Sequence, residues 1–325
     1  PFPFTTGWGL GVVLPLYGLH TLVLGAIVLK AKKVTLQALF TAGMLFGLYE
    51  AIITKVLWNP TWGPSEPMIA GVAGLQTAVL VLFWHPWFAF ILPLMAGERL
   101  TSASTIIQQT FPTWMRRLFN GKNSSYVLLC LLAFYFGMSE GINTLSMEST
   151  LLSVLESLVV FTLLVILWKK VTRGQPFNLR MLMPNRKEFT ILSVLLGTLY
   201  LLAFFFIRFD ALPKTLMPYL SIGLLYLVSI ILLVRNIKNS PHPPIEFPRQ
   251  PERWWLLKGL GFAAIFTLSS LLWMNAKPIA QQIVLITWIA GVLAGMEILV
   301  SAIVKAVKKA KQKEISGNLI NGNHS

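Results

Sequence analysis

Aspartate is almost missing from these 325 residues: Asp210 is the only one. Cysteine also occurs once, as Cys130. The first scarcity disfavours prenyl- and phospho-alcohol transferases, whose magnesium sites need clustered acids beside phosphate. The second excludes an intrachain disulfide framework and any multi-cysteine metal site. Charge of either sign is thin, at 12% of residues, against about a quarter in soluble domains. No HExxH pair occurs, and no serine sits in a recognisable nucleophile setting. There is no persuasive internal repeat, and no soluble segment large enough to fold alone. The sequence opens on PFPF without methionine, so a removed leader and a longer chain both stay open.

What is present is apolar. Mean hydropathy is +0.68 and 55% of residues are hydrophobic. Several windows reach about 20 residues, enough to cross roughly 30 Å of hydrocarbon as helices. The expected class is an all-α polytopic membrane protein, located in the cell membrane, with about nine spans. They are read at residues 8–30, 34–58, 68–98, 126–145, 148–171, 189–208, 214–237, 254–274 and 279–304. The third is long and contains Pro86, so it is either one kinked helix or a span followed by a re-entrant half-helix.

Positive charge sets the expected orientation. With nine crossings, 23 of the 27 lysines and arginines fall in alternate loops on one side. The exceptions are Lys55, Arg208, Lys214 and Lys277. By the positive-inside rule the N-terminus lies outside and the C-terminus in the cytoplasm. The net charge of +15 is then an orientation signal with an attraction to anionic lipid headgroups on the cytoplasmic face, rather than a sign of nucleic-acid binding.

TIIQQTFPTWMRRLF places Ile107, Phe111, Trp114 and Leu118 at helical spacing beside Arg116 and Arg117, as in an interfacial amphipathic helix that Pro112 can break. NSPHPPIEFPRQPE, with its solvated His242, reads as an extended loop. Residues 1–312 are expected to form a single transmembrane domain, and 313–325 a disordered cytoplasmic tail. Gly291 and Gly295 in span nine have the spacing of close helix packing.

GLYEAIITKVLWNP puts Glu50 and Lys55 into an apolar run. They are five residues apart, so they do not share a helix face. Lys55 is expected to snorkel to the outer surface beside Trp58 and Trp62. Glu50 lies roughly 12 Å below that end and needs a partner from another span. His20, His85 and Glu140 lie at comparable depths in spans one, three and four, and Glu156 in span five is at a similar level. Tyr49 and Ser139 adjoin two of the acids. The polar groups thus concentrate in residues 8–171, while the helices of 189–304 are mostly apolar. Pro86 beside His85, and Gly137 and Gly141 around Glu140, suggest helices opened for a ligand.

The candidate binding set for a small molecule or ion is therefore Glu50, Glu140, His20, His85, Tyr49, Ser139 and Glu156. The reading it favours is a carrier, proton- or cation-coupled, because intramembrane carboxylates and histidines exchange protons with a pathway. The alternative is an embedded enzyme acting on a lipid or isoprenoid, with His20, His85, Glu50 and Glu140 as a metal set. Haem held between His20 and His85, and a non-catalytic subunit of a membrane complex, are further readings. No cofactor is specified by the sequence.

Overall fold

The computed structural model describes residues 6–31, 34–61, 67–101, 105–144, 146–173, 175, 177–238 and 255–321. The loop around His242, Trp62 and residues 322–325 of the expected tail lie outside the described residues.

The chain is a helical, multi-pass membrane protein. In order, its elements are α1 (Gly9–Leu29), α2 (Leu36–Gly47), α3 (Tyr49–Ile52), β1 (Met68–Ile69), β2 (Val72–Ala73) and α4 (Gly74–Leu100). Then follow α5 (Thr113–Asn120), α6 (Lys122–Asn143), α7 (Met147–Thr172), α8 (Arg186–Phe206), α9 (Met217–Lys238), α10 (Trp255–Met274) and α11 (Lys277–Asn321). Among the described residues, eight of these are long and apolar enough to cross a membrane: α1, α4 and α6 to α11. Their ends carry ordinary stop and start signals. Asn185 and Glu188 form a reciprocal capping box at the start of α8. The Ser146 side chain caps α7, which ends on Arg173 in the left-handed region.

The second expected span is broken. α2 stops at Gly47, α3 adds one turn, and the chain leaves helical geometry after Ile52. The segment is nevertheless tied to both ends of α8. The Lys30 ammonium donates to the Pro184 carbonyl, two residues before α8 begins. At the other end the Lys55 ammonium donates to Ala203 O at 2.6 Å, in the last turn of α8, and the Arg208 guanidinium to Thr54 O at 3.3 Å. Residues 30–55 thus cover the length of a 21-residue helix, roughly 31 Å. Where a ninth span was expected, the chain forms two short helices and a turn, and Leu36–Ile52 is shorter than the eight candidate spans.

The third expected span is shorter at its start, because residues 68–73 form a β-hairpin. Met68 pairs with Ala73, and Ile69 with Val72. The turn between them needs positive φ at Ala70 and Gly71, the geometry of a two-residue hairpin loop. From Gly74 the chain is one continuous helix, so the re-entrant alternative is set aside. Its middle, Leu80–Ile91, is wound into wider π-type turns, with the Leu92 N–H donating five residues back to Trp87 O. Pro86 lies inside that stretch and lacks an N–H, which helps explain why the regular ladder is given up there.

The expected interfacial helix is also cut by its proline. Phe111 is extended, Pro112 follows, and only the eight residues of α5 are helical. Trp114 and Leu118 are exposed, whereas Ile107 and Phe111 are buried. At the far end of the chain α11 continues to Asn321, so residues 313–321, expected to lack structure, are helical.

The chain divides into two compact units. One contains residues 1–18, 96–182 and 246–289, and the other residues 19–95, 183–245 and 290–325. In the first, α6 lies tight against α10. A Cβ at Gly137 would fall on the Phe266 carbonyl, and one at Gly141 would meet the Ser270 carbonyl at 2.5 Å. The Ser269 hydroxyl donates to Phe134 O at 2.7 Å across the same contact. The Glu98 carboxylate, fully buried in this unit, accepts the N–H groups of Ile107 (2.9 Å) and Gln108 (3.2 Å).

In the second unit, α4 is clasped from two sides. A Cβ on Gly43 of α2 would fall on the Pro86 backbone, and one on Gly47 would come within 2.8 Å of Leu80 O. The same requirement holds on α11, where Gly291 faces the Phe83 ring and Gly295 the Leu82 carbonyl. The spacing read at 291 and 295 does mark close packing. Its twin at 43 and 47 positions the candidate site.

Candidate functional site

The widened turns of α4 carry His85, and the glycines of α2 bring it against Tyr49 and Glu50. His85 is 1% exposed. Its Nδ1 is 2.9 Å from Leu80 O. A carbonyl only accepts, so Nδ1 carries a proton. The neutral ring then offers the Nε2 lone pair toward its remaining neighbours, which are Glu50 Oε1 at 3.5 Å and the Tyr49 hydroxyl at 3.4 Å. One carboxyl group and one imidazole nitrogen face each other with space for a single proton between them.

Thr54 counts protons at the other carboxyl oxygen. Its hydroxyl oxygen is 2.7 Å from Glu50 O and also in hydrogen-bond contact with Glu50 Oε2. A hydroxyl has one hydrogen. If that hydrogen goes to the main-chain carbonyl, the second contact is satisfied by a proton on the carboxyl group. The Glu50 side chain is 12% exposed, so a charged form gains little from solvent.

His20, 2% exposed, belongs to the same cluster. Its ring stacks on Phe46 at 4.5 Å with an interplanar angle of 3°, and Phe46 in turn lies 5.6 Å from the His85 ring. Tyr49 packs edge-on against His85 at 5.1 Å and tilted against His20 at 5.7 Å. His20 Nε2 lies 2.8 Å from the Tyr200 hydroxyl on α8. Tyr226 of α9 sits beside Tyr200, with the two buried hydroxyls close enough to interact. A row of polar groups thus passes from Tyr226 through Tyr200 and His20, across the Phe46 and Tyr49 rings, to His85, Glu50 and Thr54.

Four of the seven expected residues, His20, Tyr49, Glu50 and His85, come together in this unit. Ser139, Glu140 and Glu156 belong to the other one. There Ser139 and Glu140 are half-buried on α6, and the Ser139 carbonyl accepts from the Asn143 amide at 2.8 Å. The glycines around them serve the contact with α10 instead of opening the helix. Glu156 is half-buried on α7, with Oε1 unpartnered among the described residues. The four-residue metal set is not assembled: among the described residues no group of three or more His, Cys, Asp or Glu is placed to hold a metal. His20 Nε2 is engaged by Tyr200, which leaves His85 and Glu50 as a pair. Haem between the histidines does not fit either, because Phe46 fills the space between their rings.

Lys55 corrects a further expectation. It is fully buried, with φ of 60°, and its ammonium is held by the protein rather than exposed at the surface. Its ammonium lies at the C-terminus of α8, on Ala203 O and 5.5 Å above the Phe204 ring. A cation there meets the negative end of the helix dipole. Glu50 and Lys55 therefore have separate tasks.

Sequence reasoning missed Thr54, Phe46, Tyr200, Tyr226 and the Gly43–Gly47 pair. The i, i+4 spacing of Glu50 and Thr54 was a usable signal. The two tyrosines stand in runs whose hydropathy hides a single hydroxyl.

Over residues 1–311 the chain matches a family described as an uncharacterized membrane protein family. A protein of Archaeoglobus fulgidus, titled only as an uncharacterized protein, is 33% identical over 302 residues, covering 92% of this chain and 89% of that protein. No solved structure matches.

Proposed function

The chain belongs to this family of membrane proteins, and from that premise we propose that it is a carrier whose coupling ion is a proton held between Glu50 and His85. The observation that carries the reading is the Oε1–Nε2 approach of 3.5 Å with Nδ1 already committed to Leu80 O. Such a pair gains or loses one proton with little movement of heavy atoms. An ionisable residue kept inside a membrane span at some cost is by default functional. The helix that holds it is interrupted next to the pair, as in carriers whose sites lie at broken helices. His20 and Tyr200 continue the row of polar groups beyond the Phe46 and Tyr49 rings.

The reading includes the orientation expected from charge, with the N-terminus outside and the C-terminal end of α11 in the cytoplasm. In that frame Glu50 lies toward the outer side of its crossing. The coupled solute is a small molecule or ion.

A pH jump applied to proteoliposomes on a solid-supported membrane tests the proposal without a known solute. A transient charge displacement is expected for the natural sequence, and its loss in Glu50→Gln. Solutes added in turn under a proton gradient should then produce a sustained current for at least one class, absent in the same variant. An identical transient in Glu50→Gln contradicts the reading.

A further inference from the structure

Among the described residues, the unit containing residues 96–182 includes a pair of apolar recesses that the Glu50 site does not use. The larger, about 580 Å³, lies between the end of α4, α7 and α10, with Arg99, Ser157 and Phe161 on its wall. The smaller, about 250 Å³, lies between α6 and α10 at Tyr126 and Gly261. Leu129, Lys258 and Phe262 border both, so the two recesses meet at one cation.

Charge is confined to one end of this pair of recesses. Lys258 is three residues from the start of α10, and Arg99 is in the last turn of α4. Neighbours fix both positions. The Lys258 ammonium lies 4.9 Å over the Tyr126 ring, and the Arg99 guanidinium donates to the Phe119 carbonyl. Farther along α10 the walls are the carbon surfaces of Phe262, Ala263 and Phe266, with the Ser153 and Ser157 hydroxyls from α7. The larger volume falls within the range of roughly 300–1,000 Å³ usual for small-ligand sites.

We propose that this unit binds one two-chain anionic phospholipid, with its phosphate at Arg99 and Lys258 and one chain in each recess. Guanidinium and ammonium groups together are the usual phosphate partners of proteins. A branched occupant is favoured because two apolar spaces share a border at the charged end. A soluble anion would leave both spaces without a use. The inference is independent of the carrier reading, since none of its residues belongs to the Glu50 site.

The test uses the full chain, purified and offered phosphatidylglycerol or phosphatidylcholine of equal chain length, with retention read by native mass spectrometry. One phosphatidylglycerol per chain is expected to survive, and phosphatidylcholine to be lost. Arg99→Ala with Lys258→Ala should lower phosphatidylglycerol retention about tenfold or more. Gly261→Phe reports on the seating, because a Cβ there meets nothing within 4 Å and the ring enters the smaller recess. That variant should lose two-chain phosphatidylglycerol and keep the one-chain lysolipid. Equal retention of the two headgroups, or unchanged retention in the double variant, overturns the proposal. Equal loss of one- and two-chain lipid in Gly261→Phe overturns the two-recess seating. Lys258→Gln, which keeps the apolar stem, replaces the double variant if that one does not fold, and carries the same expectation.

Discussion

His85 gives one ring nitrogen to Leu80 O at 2.9 Å and turns the other to Glu50, 3.5 Å away. The first contact fixes the tautomer, so the second is left to share a proton. Two devices hold the geometry. The π-type turns of α4 put the imidazole where the i−5 carbonyl can receive it, and Gly43 and Gly47 let that segment lie directly on α2.

The glycine clasp predicts a graded set of stabilities. Gly43→Ala should destabilise the protein by about 1–3 kcal/mol, the usual effect of overpacking, because the added carbon meets Pro86 backbone. On α11, Gly295→Ala should be worse than Gly291→Ala, since a carbonyl at Leu82 cannot yield as the Phe83 ring can. Gly18→Ala is the control, with nothing within 4 Å of its Cβ. Thermal unfolding in detergent reads the order.

Lys55 should behave as a buried cap. Lys55→Ala removes the donor from Ala203 O and vacates a fully buried volume. The expected loss is about 1–3 kcal/mol or more, the range for stranding a buried polar group. A surface lysine would give almost no change, so a melting temperature unaltered by Lys55→Ala contradicts the capping role.

Tyr200→Phe separates the row from the pair. It deletes the hydroxyl 2.8 Å from His20 Nε2 while leaving Glu50, His85 and Leu80 untouched. The pH-jump transient should persist with slower kinetics. Abolition would place the proton site at His20, and an unchanged time course would remove Tyr200 from the path.

Orientation is checked with impermeant maleimide. In a Cys130→Ser background, a cysteine replacing Thr6 should label on intact cells. One replacing Val307 should label only after permeabilisation.

The helical multi-pass architecture was largely legible in the sequence, since apolar length is a local quantity. The loss of helix after α3 was not, because the sequence stays mostly apolar through Trp58 while the backbone leaves the helix near Ile53. The burial of Lys55 was not legible for a related reason: α8 supplied a helix terminus that no sequence window contains. His20, His85 and Glu50 were found as costly groups in an apolar background. Gly137 and Gly141 showed the limit of that reasoning, since glycine beside an acid here marks a neighbouring helix.

The central claim is that Glu50 and His85 bind one exchangeable proton. The most direct measurement is the pH-difference infrared spectrum of the protein in lipid. A protonated-carboxyl band that responds to pH is expected, missing in Glu50→Gln and retained in Glu140→Gln and Glu156→Gln. The same band at full intensity in Glu50→Gln would contradict the account.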